Sequence, residues 1–339
     1  MNRKHFIASV LSVGAGIQMS GFKGSVKTAS ASWIPPYLQT GDRIGITCPA
    51  GFITLLEIQS AVGKLESWGF KIRVGDTVGK RDFTFGGTDE ARRQDFQQML
   101  DDDSIRAILC ARGGYGAVRI IDQLDFSKFI SKPKWIIGFS DITFLHCHVQ
   151  SNFGIASIHS KMCNSFPDDW TRAEPLQIDS IDSIRKALTG EHMSYQVLSD
   201  ANNRRGEAAG ILVGGNLNTI ETLSGSVSDL KTAGKILFVE DTGEYLYSID
   251  RMFWNLKRTG KLDQLAGLIV GGFKIKPDDP GEEFGKTIYD IVLEKVKDYN
   301  YPVCFGFPVG HQKENYALKH GIVHGLEVRS NEVLLQEID

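Results

Sequence analysis

Ile105-Arg106-Ala107-Ile108-Leu109-Cys110-Ala111-Arg112-Gly113-Gly114-Tyr115-Gly116 and, a little further on, Trp135-Ile136-Ile137-Gly138-Phe139-Ser140-Asp141-Ile142 are the stretches that decide the fold. Each is a short apolar run that empties into glycine or a polar turn and then into a helical pattern, Val118 to Leu124 in the first case and Ile142 onward in the second. Short apolar runs with such punctuation read as buried strands. The same phrasing recurs upstream. Ile44 to Thr47 ends in Cys48-Pro49-Ala50-Gly51, and Ile53 to Trp68 carries Leu55, Ile58, Val62 and Leu65 at helical spacing. Lys71 to Val74 is the next strand, and Ala91 to Asp101 a charged helix. Strands alternating with helices predict a parallel sheet with helices on its faces. Right-handed crossovers then gather the functional loops at the carboxyl ends of the strands.

The pattern changes near residues 164–206, where Pro167-Asp168-Asp169-Trp170 and Asn202-Asn203-Arg204-Arg205-Gly206 flank a helix from Ile178 to Leu188. Beyond it, strands are expected at Gly210 to Val213, Lys235 to Glu240, Leu268 to Gly271, Val303 to Gly306, Ile322-Val323, Leu326 to Val328 and Val333 to Leu335. Helices at Leu217 to Leu223, Ser248 to Thr259 and Thr287 to Val296 separate some of them. The expectation is an α/β protein with an N-terminal parallel-sheet domain (32–165), a linker region (166–206) and a smaller mixed α/β C-terminal domain (207–339). Two domains also suit a chain of 339 residues, which is long for one core.

Composition narrows the function. Apolar residues make up 42% and charged residues 23% of the chain, ordinary values for a globular protein. A formal net charge of −3, with no basic cluster interleaved with aromatics, argues against a nucleic-acid partner. Cys48, Cys110, Cys147, Cys163 and Cys304 are an odd number and form no C-x-x-C pair, which speaks against a disulfide framework and a structural zinc site.

Residues 1–31 read separately. Arg3-Lys4-His5 precedes an apolar run from Phe6 to Ile17, and Ala29-Ser30-Ala31 fits a small-x-small cleavage site. This is the layout of an export signal, placing the protein in the periplasm or cell envelope. If the segment is only a tail, the location is cytoplasmic. Arg3-Lys4 also resembles a twin-arginine signal, with Lys4 in the second position. The apolar run is too short for a stable membrane span, and no other stretch offers one.

Ser140 stands between a buried strand and a helix, where a hydroxyl projects from a sharp turn beside helix N-terminal amides. Ile142 occupies the last Gly position of the G-x-S-x-G pattern, so the local sequence equally allows Ser140 or Asp141 as a helix cap. A serine nucleophile needs a base, and the base an orienting acid. Of eight histidines, His146 and His148 point to different faces at i, i+2 and suit a core. His159, His320 and His324 lie near strands. His311 follows Phe305-Gly306-Phe307-Pro308-Val309-Gly310, a strand exit rich in turn residues that faces a cleft. Glu240 closes the run Ile236-Leu237-Phe238-Val239, with Asp241 and Glu244 as alternatives. The loop Arg112-Gly113-Gly114-Tyr115-Gly116 lets backbone amides approach an oxyanion; it lacks the third glycine of a dinucleotide fingerprint, and no Walker A motif occurs.

Taken in order, seven segments resemble the LD-carboxypeptidase (muramoyl-tetrapeptide carboxypeptidase) family of serine peptidases. They are Gly41-Asp42-Arg43-Ile44, Ala111 to Gly116, Gly138-Phe139-Ser140-Asp141-Ile142-Thr143, Gly214-Gly215-Asn216-Leu217, Val239-Glu240-Asp241, Ile249-Asp250-Arg251-Met252 and Gly306 to His311. The resemblance implies an N-terminal domain resembling glutamine amidotransferases and a triad of Ser140, His311 and Glu240. It implies an oxyanion hole of backbone amides, assigned to Gly114 and Asp141. The implied substrate is a murein tetrapeptide, cut at the L,D-amide bond before terminal D-Ala, with no metal or other cofactor. Arg112 is then a candidate for the substrate carboxylate, with a structural ion pair as its alternative. A homodimer is implied by the resemblance alone. Two departures stand out: Cys48, where a smaller or hydroxylic residue is expected, and the export signal, since relatives are mostly cytoplasmic recycling enzymes.

Two rival readings follow. Related immunity proteins cleave a peptide or acyl-sulfamoyl nucleotide antibiotic, which calls for an aromatic ring to stack a purine; Trp170 is the obvious candidate. A non-catalytic protein closing two domains on a cell-wall peptide would need no triad.

Overall fold

The computed structural model describes residues 33–338; the expected export segment and its cleavage site lie outside the described residues. In chain order the elements are β1 (Arg43–Thr47), α1 (Gln59–Ser67), β2 (Lys71–Val74), α2 (Asp89–Asp101), β3 (Ile105–Cys110), α3 (Ser127–Ser131), β4 (Trp135–Gly138), α4 (Thr143–Phe153), β5 (Ser157–His159) and α5 (Pro175–Thr189). There follow β6 (Ser194–Leu198), β7 (Gly206–Asn216), α6 (Leu217–Thr222), β8 (Ile236–Thr242), α7 (Leu246–Arg258), β9 (Gly267–Lys274), α8 (Ile288–Val296), β10 (Val303–Gly310), β11 (Leu318–His320), β12 (Val323–Val328) and β13 (Glu332–Glu337).

The expected α/β architecture is present. One six-stranded sheet has the order β11-β5-β4-β3-β1-β2. Its strands are parallel except β11, which arrives from the C-terminal part of the chain and pairs antiparallel with β5. Leu318-Lys319-His320 is too short to show a strand period, so the sequence gives no warning of this crossing. The second sheet has the order β10-β9-β8-β7-β12-β13-β6, parallel from β7 to β10 and antiparallel from β7 through β6. The stretch expected as a linker carries α5 and the edge strand β6.

Several boundaries differ from expectation for local reasons. The helix expected from Ile53 begins only at Gln59, because Thr54 and Glu57 close a turn of their own through Thr54 N and Oγ1 to Glu57 Oε2, 2.8 and 2.6 Å. The helix expected at Val118 to Leu124 is two single 3₁₀ turns, Ala117–Arg119 and Ile121–Gln123. Val323 and the run Leu326 to Val328 belong to the single strand β12, and Ile322 lies just before it. The strand expected to stop at Gly306 continues through Pro308 to Gly310. It can do so because β10 is the edge of its sheet, where a missing N–H costs no ladder bond.

Helix α4 joins the two sheets. Every residue from Thr143 to Gln150 is buried, so it is covered on all sides rather than on one stripe. Phe144, Leu145 and Val149 share one apolar cluster with Ile211 and Val213 of β7 and Leu217 and Ile220 of α6. Each such side chain contributes about 1.5–3 kcal/mol by burial. The chain entering α4 is therefore held firmly against the second sheet, at the ends of its parallel strands.

Candidate active site

The entry to α4 is a strained elbow. Phe139 is extended (φ −151°, ψ −172°), and Ser140 then turns into the left-handed region at φ 63°. A non-glycine residue there costs on the order of 1–3 kcal/mol and persists only where the surroundings enforce it. Neither polar residue caps the helix: no side-chain cap bond forms at the entry of the Ser140–Ile142 turn or of α4. Asp141 instead turns back, and its Oδ2 accepts from the Ala117 amide at 2.7 Å. The capping alternative for this turn is thus excluded by its geometry.

His311 and Glu240 come from the second sheet. Ser140 Oγ lies 3.2 Å from His311 Nε2, and His311 Nδ1 lies 2.5 Å from Glu240 Oε2. The same carboxylate oxygen accepts the His311 backbone N–H at 3.1 Å. Glu240 is fully buried. The pairing of β8 with β9 shifts register between Val239 and Asp241, and such an irregularity re-aims the side chain it contains. Next to His311, Gly310 sits at φ +103°, and a Cβ there would stand 2.4 Å from Glu240 Cβ. Only glycine lets β10 bring the imidazole this close. The Gly310 amide donates to Asn315 Oδ1 at 2.8 Å, and the Phe139 ring lies 4.9 Å from the His311 ring.

The glycine loop after β3 faces this trio. A Cβ on Gly113 would stand 3.0 Å from Ser140 Cβ and 3.2 Å from its Oγ, so this position packs closely against the elbow. Among the described residues, neither the Gly114 nor the Asp141 N–H has a backbone acceptor. Arg92, entirely buried, clamps the loop from below, its Nη1 donating to Pro49 O at 2.5 Å and Gly116 O at 2.8 Å. Sequence reasoning missed Arg92, Asn315 and Phe139. Their bonds and ring contacts span long stretches of chain, and no local pattern announces them.

Burial pushes the Asp141 carboxyl up from its ordinary 3.8 to about 6, against the opposing pull of the Ala117 amide and Arg92. The folded state therefore favours the protonated form, and this group's ionisation subtracts stability as pH rises from about 4 to about 6. Asp141→Asn removes that term. Its stability relative to wild type, followed by chemical denaturation, is expected to rise across that interval by up to about 3 kcal/mol and to be flat above it. A difference that does not change with pH would contradict the assignment.

The remaining candidates separate cleanly. Asp241 turns away from His311 to Asn216 Nδ2 and the amides of Asn218 and Thr242, and Glu244 accepts from Asn218 Nδ2. His146 is a core histidine between Ser157 Oγ and Gly138 O, and His148 is bound to Ser228 Oγ. Cys48 is buried beneath the loop, with its thiol pushed up by burial to about 12, so it offers no thiolate. Trp170 is engaged by Ser60 through its Nε1 and by Lys64 over its face, leaving it tied to α1. Arg112 is exposed at the cleft and donates from Nη1 to Phe52 O at 2.8 Å. Among the described residues no cluster of three or more His, Cys, Asp or Glu could hold a metal ion, and no helix is long and apolar enough to cross a membrane.

Known proteins resemble this chain in sequence and in fold. Residues 44–160 match the LD-carboxypeptidase N-terminal domain, and residues 209–326 match the LD-carboxypeptidase C-terminal domain. The murein tetrapeptide carboxypeptidase of Pseudomonas aeruginosa is 29% identical, over 84% of this chain and 93% of its own. The Microcin C7 self-immunity protein MccF of Escherichia coli is 26% identical, over 88% of this chain and 94% of its own. Among solved structures, the muramoyltetrapeptide carboxypeptidase from Oxalobacter formigenes superposes with a TM-score of 0.77 at 26% identity, covering 88% of this chain and 99% of that one. The chain belongs to the LD-carboxypeptidase family, and it is a peptidase.

Proposed function

We propose that the protein is a serine-type L,D-carboxypeptidase that releases terminal D-Ala from murein tetrapeptides. The observation that carries this reading is the relay from Ser140 Oγ through His311 to buried Glu240, at 3.2 and 2.5 Å. Glu240 accepts a hydrogen bond from Nδ1–H, which leaves Nε2 free to accept from the serine hydroxyl. In the acylation step, His311 Nε2 takes the Oγ proton as Oγ bonds to the carbonyl carbon of the L-centre. The tetrahedral oxyanion is met by the Gly114 and Asp141 amides, which have no backbone acceptor among the described residues. Collapse breaks the C–N bond, and His311 returns its proton to the departing amine of D-Ala. Water then attacks the ester, giving a proton to His311, and Oγ leaves with it as the free tripeptide is released.

The second reading, an immunity-type amidohydrolase, draws on the 26% identity to the microcin self-immunity protein. Against it, Trp170, the ring expected to stack a purine, is committed to Ser60 and Lys64. The two are separated by assaying purified protein on murein tetrapeptide and on glutamyl sulfamoyl guanosine in parallel. The expected result is a kcat/KM roughly 100-fold or more in favour of the tetrapeptide. A preference for the nucleotide, or no D-Ala release, would overturn the murein assignment.

A further inference from the structure

His159 is a buried imidazole outside the relay, yet it adjoins all three segments that deliver the relay. It ends β5, paired with Gly138 of β4 on one side and Leu318 of β11 on the other. Its ring stands edge-on to Phe139 and Phe238, with ring centres 5.8 and 5.0 Å away. Phe139 precedes Ser140, and Phe238 lies two residues before Glu240 on β8. The third neighbour is the side chain of Asn315, which acts on the imidazole and holds the turn that carries His311.

Asn315 is fully buried. Its Oδ1 accepts the Gly310 N–H at 2.8 Å, and its own backbone N–H donates to Ser180 Oγ at 3.2 Å. Gly310, at φ +103°, is the residue through which β10 sets His311 against Glu240. The Asn315 amide therefore has a required orientation, with its oxygen toward Gly310. Asn315 Nδ2 and both His159 ring nitrogens are buried, and among the described residues none of them has a partner in full hydrogen-bond geometry. Polar atoms left so are costly. Burial first, then the neighbouring His146 and His311, hold the His159 imidazole well below its usual range, against the opposing effect of Asn315. A neutral ring offers one donor and one acceptor. It thus complements an amide whose oxygen has a second lone pair and whose nitrogen is unengaged. His146 does not compete, because Ser157 Oγ and Gly138 O occupy its two nitrogens.

We propose that Asn315 and His159 are positioning residues: His159 braces the Asn315 amide, and Asn315 holds Gly310 so that the His311 imidazole stays between Ser140 and Glu240. The inference deepens the hydrolytic reading above by naming what aligns its base, so one of its two readouts is independent of turnover. In protein carrying isotope-labelled histidine, the Nδ1–H that His311 donates to Glu240 gives a downfield proton resonance, assigned by its loss in His311→Gln. Wild type should show it, and so should Asn315→Asp, which keeps an oxygen toward Gly310. Asn315→Leu should lose it, with kcat on murein tetrapeptide down roughly 10- to 100-fold and KM within about twofold. His159→Phe keeps the ring contacts and should act in the same direction. Adding it to Asn315→Leu should cost little more, because both act through one contact. An unchanged resonance and kcat in Asn315→Leu, an Asn315→Asp as impaired as Asn315→Leu, or losses that multiply in the double variant would overturn the proposal. If Asn315→Leu does not fold, His159→Phe decides alone, and wild-type resonance and kcat in it would overturn the proposal. A wild-type protein that releases no D-Ala, with the resonance responding as expected, would instead sink the hydrolytic reading and leave the positioning role standing.

Discussion

Ser140→Ala is expected to lower kcat for D-Ala release by about 10⁴- to 10⁶-fold with little change in KM, because triad members act as a unit and what remains comes from binding and the oxyanion donors. The steady-state assay on purified tetrapeptide checks this directly; a loss of less than tenfold would remove Ser140 from the chemistry. The elbow adds a stability signature. At φ 63° a glycine is free of the strain a Cβ imposes, so Ser140→Gly should be equally inactive yet more stable, by on the order of 1 kcal/mol. An inactive variant that is more stable than wild type cannot owe its inactivity to misfolding. A serine kept only for structure would show the reverse, activity retained and stability lost.

Glu240→Gln is the second large effect. The substituted amide oxygen can still accept from both the His311 ring and its backbone N–H, which Glu240 Oε2 now serves at 2.5 and 3.1 Å. What disappears is the negative charge that stabilises the imidazolium during proton transfer. The expected loss in kcat is about 10³- to 10⁴-fold, again with KM nearly unchanged. Glu240 Oε1 is buried without a partner among the described residues, so the new amide N–H₂ group would be left unsatisfied there. That adds a stability loss of about 1–3 kcal/mol, readable by denaturation. Full activity in this variant would mean that Glu240 serves packing alone.

Much of the framework was legible because local and global signals agree. The run from Ile105 to Gly116 announces strand and loop by composition alone, and Trp135 to Ile142 announces strand and turn. What the sequence withheld was set by distant partners. The elbow's two readings, nucleophile and cap, differ only in where Asp141 turns, and that is decided by the amide of Ala117, 24 residues away. Arg92 reads as one more charge on an amphipathic helix; its burial against Pro49 O and Gly116 O depends on two loops meeting. Strand β11 depends on a long return to the first sheet that no three-residue pattern encodes.

The most direct test is rapid quenching of a single turnover on murein tetrapeptide, with intact-protein and peptide mass spectrometry of the trapped species. The account predicts an adduct equal to the substrate less D-Ala, carried on the peptide containing Ser140 and absent from Ser140→Ala. D-Ala release with the adduct on any other residue, or at an undiminished rate from Ser140→Ala, would contradict it.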